Sequence, residues 1–231
     1  MQEPLVLLPG MMCDGRLFAP QIAAFSHERA VLVAPLTGAD SMKALASSIL
    51  AIAPPRFALA GLSMGGIVAM EMMRQAPERL TRLALLDTNA LADPPANKAV
   101  REAQVEKALG GNLRAVMRDE MKPNYLTDGP NREAILNLCM EMAEDLGPSV
   151  FADQSNAILH RPDQCETLRA VQVPSLVLCG EDDRLCPLER HELMHGLIAG
   201  SRLAVIPCAG HLPTLEQPDL TNRILNEWLT Q

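Results

Sequence analysis

The sequence is poor in aromatic residues, which make up 3% of its 231 residues, whereas methionine occurs 13 times. We therefore expect any ligand pocket to be lined by flexible thioether and aliphatic side chains, which suit adaptable apolar binding. The sequence also lacks a run rich in Lys and Arg, and its formal net charge is −8. Because polyanions bind to basic patches, nucleic acid is not expected as a partner.

A long apolar segment is missing as well. The first residues, MQEPLVLLPGMMCDG, contain no basic stretch, and Pro9 interrupts their short apolar run. We therefore expect neither a signal peptide nor a membrane partner, and we expect a cytoplasmic protein. The six cysteines form no C-x-x-C pair, which favours reduced thiols in that compartment. A monomer or a homodimer is compatible with these features.

Six short apolar runs have the length of β-strands. They are nearly continuous rather than alternating, as is typical of strands buried on both faces of a parallel sheet. The runs span residues 4–9, 30–36, 56–62, 80–87, 174–180 and 202–207. Segments with helical periodicity lie at 41–53, 64–76, 187–199 and 213–230. The alternation predicts an α/β fold: a doubly wound, mostly parallel six-stranded sheet with helices on both faces.

Residues 90–168 interrupt this alternation, because no strand is predicted there. The segment instead contains helix-like stretches at 97–109, 112–121, 131–146 and 148–159. A helical insertion after the fourth strand would lie over the carboxyl edge of the sheet, where such sheets bind ligands. We therefore predict a core of residues 1–89 and 169–231 that carries a helical lid of residues 90–168. A separate helical domain without a catalytic part is the alternative.

The sequence GLSMGG at residues 61–66 stands between the predicted strand RFALA and a strongly helical segment. It matches G-x-S-x-G, the turn that exposes a nucleophilic serine between a strand and a helix. Gly61 and Gly65 are small, as the tight turn around Ser63 requires. The amino terminus of the following helix would also favour a developing negative charge. A glycine-rich turn with a capping serine is the structural alternative.

A serine nucleophile needs a histidine base that is oriented by an acid. In this type of fold the acid and the histidine follow later strands, in the chain order serine, acid, histidine. Asp182 and Asp183 follow the predicted strand 174–180, and His211 follows the predicted strand 202–207. Asp87, at the end of the predicted strand 80–87, is a further candidate for the acid.

With GLSMGG, the run GEDDRLCP (180–187) and the run GHLPTLEQP (210–218), the chain resembles the α/β-hydrolase superfamily. The resemblance is to the compact carboxylesterase-like branch that includes the pimeloyl-carrier-protein methyl esterases. It implies an α/β-hydrolase fold and a catalytic set of Ser63, Asp183 and His211. It also implies an oxyanion hole formed by the backbone N–H groups of Met11 and Met64. The family usually has histidine where this chain has Pro9, so the loop after the first strand must be held by another group, such as Pro9 itself or Asp14.

The segment HELMH at residues 191–195 matches H-E-x-x-H, a zinc-binding pattern of metalloproteases. A catalytic zinc ion needs a third protein ligand, and the extended pattern with a third histidine is absent. Glu216 or Glu227 is a conceivable third ligand. The serine hypothesis explains more of the chain, so we expect no metal and no organic cofactor, and we interpret His27, His160, His191 and His195 as surface or structural residues.

These observations predict a serine hydrolase that cleaves a small or medium apolar carboxylic ester through an acyl-enzyme. The fold also supports carbon–carbon bond hydrolases, lactonases and thioesterases, so these activities remain alternatives. A ligand-binding receptor with slow turnover is another. The predicted lid contains several arginines that could recognise a carboxylate, although solvated helix faces explain such residues more often. They are Arg101, Arg114, Arg118 and Arg132.

Overall fold

Six strands form one sheet in the order β2-β1-β3-β4-β5-β6, and every neighbouring pair is parallel. The structure is a computed structural model that describes residues 2–231. The strands are β1 (Leu5–Leu8), β2 (Val31–Val33), β3 (Phe57–Leu62), β4 (Leu80–Leu86), β5 (Ser175–Gly180) and β6 (Arg202–Ile206). The predicted fold class is thus confirmed. The edge strand β2 is shorter than predicted.

Ten α-helices accompany the sheet within the described residues. They are α1 (Ala19–Phe25), α2 (Met42–Ile52), α3 (Met64–Gln75), α4 (Lys98–Lys107), α5 (Leu113–Ala115), α6 (Arg132–Leu159), α7 (Cys165–Arg169), α8 (Leu188–Leu197), α9 (Pro213–Glu216) and α10 (Pro218–Thr230). The sequence pattern did not predict α1 and α7, because helices of seven and five residues are too short for a periodic signal. None of the helices in residues 2–231 has the length and hydropathy that a membrane crossing requires.

Two apolar clusters cover the two faces of the sheet. One cluster contains Leu45 of α2, Val68 of α3 and Met194 of α8. The other contains Phe25 of α1 and Trp228 of α10. Burying both faces explains why the strands are nearly continuous apolar runs, because most side chains of the central strands belong to one of the two clusters.

The chain between β4 and β5 is helical, and no strand occurs there within the described residues. A π-helical turn connects α4 and α5, a second one follows α5, and the long helix α6 changes direction at Gly147. Gly147 has φ +80°, and Pro148 follows it. A residue with positive φ followed by proline interrupts a helix, as the predicted boundary between 131–146 and 148–159 required. The division into a core and a lid stays a prediction.

The loops that follow β5 and β6 approach each other without any space for a side chain. A Cβ atom at Gly180 would lie 2.0 Å from the carbonyl oxygen of Gly210. The amide of Asp182 donates to the carbonyl oxygen of Ala209 at 2.9 Å, which fixes the two loops at this distance. The glycine at the end of β5 therefore sets the separation of two loops that carry candidate catalytic residues.

We predict that Gly180→Ala destabilises the protein by about 3 kcal/mol, because the added methyl group meets backbone that cannot move aside. Gly196→Ala is the matched control, since Gly196 lies within α8 and a Cβ atom there meets open space. We expect this control to raise the free energy of unfolding by up to about 1 kcal/mol. Urea unfolding measures both variants, and equal stability of the two would contradict the close approach.

Candidate active site

Ser63 lies at the sharp turn between β3 and α3, with φ +55° and ψ −116°. This conformation is strained for a residue with a side chain, and it exposes the serine beyond the end of the strand. A Cβ atom at Gly61 would lie 2.3 Å from the carbonyl oxygen of Gly65. A Cβ atom at Gly65 would lie 2.1 Å from the carbonyl oxygen of Leu8. Both positions therefore need glycine, as the sequence motif indicated.

The side chains of Ser63, His211 and Asp183 form a hydrogen-bonded chain. The Ser63 Oγ atom lies 2.9 Å from His211 Nε2, and His211 Nδ1 lies 2.8 Å from Asp183 Oδ2. His211 and Asp183 are buried. The structure thus brings together three residues that lie in three separate loops of the sequence, in an order that connects a hydroxyl, an imidazole and a carboxylate.

The Asp183 carboxylate is held by backbone groups of its own loop. Its Oδ1 atom accepts the amide hydrogens of Leu185 and Cys186 at 2.8 and 3.0 Å. Burial by itself raises the pKa of Asp183, but attraction to His211 and these hydrogen bonds outweigh burial and lower the pKa below its usual value. Asp183 is therefore ionised beside the imidazole. The alternative candidate Asp182 is exposed.

Asp87, the other candidate for the acid, has a different environment. It is fully buried, has φ +44°, and accepts the amide hydrogen of Gly180 at 2.8 Å. Its Oδ2 atom has no partner among the described residues. Burial raises the pKa of Asp87 well above its usual value, and the negative charge of Asp183 raises it further. The environment of Asp87 therefore favours its protonated form, whereas that of Asp183 favours the carboxylate.

The loop that carries His211 is held by a residue for which the sequence suggested another role. The Glu216 carboxylate accepts the amide hydrogens of Gly210 and Leu212, on either side of His211, at 2.9 and 3.1 Å. It also accepts the amide hydrogen of Thr127 at 2.9 Å. The His211 amide donates to the carbonyl oxygen of Tyr125 at 2.7 Å. Glu216, a conceivable zinc ligand in the sequence, thus orders this loop.

The loop after β1 is held by Gln154 of α6, a residue that the sequence did not single out. The Met12 amide donates to Gln154 Oε1 at 2.8 Å, and Gln154 Nε2 donates to the Leu36 carbonyl oxygen at 2.8 Å. Met12 has φ +56°. Asp14 caps the next turn by accepting the Arg16 amide hydrogen. This chain has Pro9 where the family usually has histidine, and Gln154 is the group that holds the loop instead.

The two histidines of HELMH have separate partners. His191 is fully buried, and its Nε2 atom accepts the amide hydrogen of Thr88 at 3.1 Å. The Thr88 hydroxyl in turn donates to the carbonyl oxygen of Ser63 at 2.7 Å. His195 Nδ1 lies 2.8 Å from the Ser201 hydroxyl on the surface. His191 thus supports the turn at Ser63.

A second possible metal-binding group overlaps the hydrogen-bonded chain. Among residues 2–231, three side chains with suitable ligand atoms lie close together in one place, namely Asp183, Cys186 and His211. Asp183 and His211 already bond to each other there. All six cysteines are free thiols, and burial raises the pKa of Cys186 well above its usual value. Because Asp183 and His211 bond to each other and His211 also bonds to Ser63, the geometry favours proton transfer along this chain.

A cavity of about 460 Å³ opens at Ser63 and His211. Met11 and Met64, whose N–H groups were predicted to form the oxyanion hole, line it together with Ser63. Neither N–H donates a hydrogen bond to another group within residues 2–231. The apolar side chains that line the cavity include Ile67, Val100, Met121, Ile158 and Leu185. This volume accommodates a small or medium ligand beside the serine hydroxyl.

Of the four arginines considered in the predicted lid, Arg101 lines the cavity. Arg114 pairs with Glu144, Arg118 pairs with Asp119, and Arg132 approaches Asp128 at 3.6 Å. The sequence did not single out two other arginines of the cavity lining, Arg161 and Arg190. Arginines occur throughout helical segments, so their sequence positions alone did not distinguish these residues.

Comparison with known proteins places the site in a broad context. Residues 5–224 match the model of the alpha/beta hydrolase family. A pimeloyl-[acyl-carrier protein] methyl ester esterase of Pectobacterium carotovorum is 26% identical, with 93% of this chain and 89% of that protein covered. The chain spans 65%, 44% and 61% of the length of three other curated relatives that it matches.

Solved structures have the same fold over nearly the whole chain. A thermophilic esterase from Thermogutta terrifontis with malate bound is 30% identical, with a TM-score of 0.90, and the match covers all of this chain and 90% of that one. The enol-lactonase from Burkholderia xenovorans LB400 is 23% identical, with a TM-score of 0.89 and coverage of 100% and 92%. At that identity, the second likeness concerns the fold alone.

We predict that Gln154→Leu lowers the free energy of unfolding by about 3 kcal/mol, because it leaves the Met12 N–H and the Leu36 C=O groups without partners. Gln104→Leu is the control, since Gln104 bonds to the surface residue Glu120 and should lose less than about 1 kcal/mol. Urea unfolding distinguishes the two. Equal losses would indicate that Gln154 does not hold the loop.

The buried His191 predicts a pH dependence of stability. Burial lowers the pKa of His191 from 6.5 to about 4, although the negative charge of Asp183 opposes this shift. Between these values the unfolded chain binds a proton that the folded chain does not, so the free energy of unfolding decreases as the pH falls through this window. From about pH 7 to about pH 5 this contribution amounts to about 2 kcal/mol.

The variant His191→Gln isolates this contribution, because a glutamine oxygen can still accept the Thr88 amide hydrogen but does not titrate. Urea unfolding of both proteins at the two pH values should show the larger loss for the wild type. If the variant loses as much stability as the wild type on acidification, another group titrates in this range.

Proposed function

The chain belongs to the alpha/beta hydrolase family, and on that premise we propose that it is a serine hydrolase that cleaves carboxylic esters. The hydrogen-bonded chain Ser63–His211–Asp183 carries the proposal. A serine hydroxyl is a weak nucleophile at neutral pH, and a histidine base oriented by a carboxylate activates it. The esterases among the relatives, including the one from Thermogutta terrifontis, support the same reaction class.

In the proposed mechanism, Ser63 attacks the ester carbonyl carbon while His211 accepts the hydroxyl proton at Nε2. Asp183 keeps the Nδ1 proton on the imidazole and stabilises the imidazolium that forms. His211 then donates its proton to the departing alcohol, and an acyl-enzyme remains on Ser63. A water molecule deprotonated by His211 hydrolyses this intermediate and releases the acid. These steps use only side chains of the protein and need no metal or organic cofactor.

The developing oxyanion would be bound by the N–H groups of Met11 and Met64. Both residues line the cavity next to Ser63, and Met64 begins α3, whose amino terminus favours negative charge. Gln154 has a positioning role here, because it holds the amide of Met12, the neighbour of Met11. Losing one oxyanion donor typically lowers kcat by ~10²–10³-fold, so the loop after β1 must be fixed before the substrate binds.

The cavity supports a small or medium substrate with an apolar acyl chain, because it has about 460 Å³ and many aliphatic side chains. We expect the protein to be a cytoplasmic monomer or homodimer that acts on a small-molecule ester. We expect it to bind neither nucleic acid nor a membrane. The alternatives to ester hydrolysis use the same residues. They are hydrolysis of a carbon–carbon bond, a lactone or a thioester, and ligand binding with slow turnover. Arginines in the cavity favour an acid-bearing substrate, which both the ester and the carbon–carbon reactions accept.

Hydrolysis of p-nitrophenyl esters of increasing acyl length tests the proposal. We expect Ser63→Ala to lower kcat by about 10⁴-fold or more, because the variant lacks the nucleophile. His195→Gln is the matched control: a surface histidine of HELMH that should leave the rate unchanged. Each protein is assayed with and without EDTA, which should have no effect.

The opposite pattern would favour a zinc enzyme. If EDTA and His195→Gln abolish turnover while Ser63→Ala retains it, the serine mechanism is wrong. If the wild type hydrolyses none of the esters but forms a stoichiometric adduct with a fluorophosphonate at Ser63, the nucleophile is active and the bond that it cleaves is of another kind. Absence of both turnover and adduct would favour the receptor alternative.

A further inference from the structure

The cavity beside Ser63 is positively charged although the chain has a net charge of −8. Its lining contains three arginines, Arg101, Arg161 and Arg190, and two acids, Asp93 and Glu120. Glu120 is already paired with Lys107 at 2.8 Å. The charges that remain to act on a ligand are therefore those of the three arginines and Asp93. An acidic protein with a cationic cavity selects for anionic ligands.

Two of these arginines share a single buried carboxylate. Asp93 Oδ2 accepts from Arg101 Nε at 2.7 Å, and Asp93 Oδ1 lies 3.1 Å from Arg161 Nη1. Arg161 Nε also donates to the carbonyl oxygen of Leu91 at 2.9 Å. Arg161 and Asp93 are almost completely buried in their side chains. Two positive charges thus face one negative charge in a place where water screens them little.

The cluster lacks one negative charge. Burial lowers the pKa of Arg161 below its usual value, and although Asp93 raises it, the positive charge of Arg101 lowers it again. Arg161 Nη2 and Arg101 Nη1 have no hydrogen-bond partner among the described residues. Both atoms are accessible to solvent, since neither is among the buried side-chain nitrogen and oxygen atoms that have no partner. These donors are available to a ligand in the cavity that both residues line.

Arg190 adds a third cation from α8, the helix after β5. It lies in α8, is partly buried, and its side chain has no ion-pair or hydrogen-bond partner within residues 2–231. An unpaired arginine in a cavity that already contains an excess of positive charge would be repelled in the absence of an anion. A bound anion would therefore relieve both the deficit of negative charge at Asp93 and this repulsion.

We propose that Arg161 and Arg101, assisted by Arg190, form a carboxylate subsite, so that the substrate is an ester that also carries a free carboxylate. A carboxylate fits because its two oxygens match the planar fork of a guanidinium. The apolar side chains of the same cavity would contact the chain that joins the carboxylate to the ester. The subsite rests on the proposed function for its reaction, whereas its binding of a carboxylate can be measured without any turnover.

Pairs of esters that differ in one charge test the subsite. The mono-p-nitrophenyl ester of adipic acid is compared with p-nitrophenyl hexanoate, which places the carboxylate on the acyl side. The 4-carboxyphenyl ester of hexanoic acid is compared with phenyl hexanoate, which places it on the alcohol side. We expect the charged ester to have at least about tenfold higher kcat/KM in one of the two pairs, at low salt, because screening weakens the attraction.

Variants that remove a positive charge and variants that remove a negative charge should shift the preference for the charged ester in opposite directions. Arg161→Met removes one cation and should abolish the preference for the charged ester. Asp93→Asn removes the competing anion and should increase the preference. Arg190→Gln, which breaks no observed contact, should reduce it even if Arg161→Met fails to fold. Arg118→Gln, at an arginine paired on the surface, is the control and should have no effect.

The two proposals fail in different ways. If the wild type hydrolyses charged and neutral esters equally and Arg190→Gln and Asp93→Asn leave the ratio unchanged, the subsite is wrong and the esterase stands. If no ester is hydrolysed, calorimetric titration with adipate decides the subsite alone. Binding that Arg190→Gln weakens and Asp93→Asn strengthens would support it, and absence of binding by the wild type would overturn it.

Discussion

The architecture depends on backbone segments that touch each other at the carboxyl edge of the sheet. The first turn of α3 contacts the carbonyl oxygen of Leu8 at the end of β1, and the end of β5 contacts the loop that carries His211. Gly65 and Gly180 permit these contacts, and Gly61 and Gly210 permit similarly close approaches to the first turn of α3 and to Tyr125. Since no side chain separates the loops, the serine, the imidazole and the carboxylate lie within hydrogen-bond distance while their backbones remain packed.

The loops at this edge are held in strained conformations by distant residues. Met12, Ser63, Asp87 and Cys208 have positive φ angles, and each follows a strand at its carboxyl end. Such conformations cost about 1–3 kcal/mol each and persist where the surroundings fix them. Gln154, His191 and Glu216 provide these contacts for three of the loops, through hydrogen bonds to backbone amides rather than to the reacting side chains. Strain and support therefore occur together around one cavity.

The sequence predicted the elements whose signal is local. Strands buried on both faces are continuous apolar runs, and Ser63, Asp183 and His211 lie in short motifs next to those runs. The supporting roles of Gln154 and Glu216 were missed, because a contact such as that of Gln154 with Met12 joins positions 142 residues apart and leaves no pattern in either segment. The cation excess of the cavity was missed for the same reason. Arg161 and Arg190 lie in unremarkable stretches, and only the fold brings them beside Arg101.

The bend at Gly147 divides α6 into two parts, and each part is joined to the segment that follows β1. The part of α6 after the bend contains Gln154, which joins it to the loop after β1 and to the end of the β2 loop at Leu36. The part before the bend is joined to the same side of the sheet, because the Asp14 amide donates to Met142 Sδ at 3.4 Å and Arg16 Nη2 donates to Asp145 Oδ2 at 2.7 Å. For protein engineering, this means that α6 is not a freely exchangeable module on either side of Gly147: a chimera that takes a homologous α6 also replaces supports of the segment after β1.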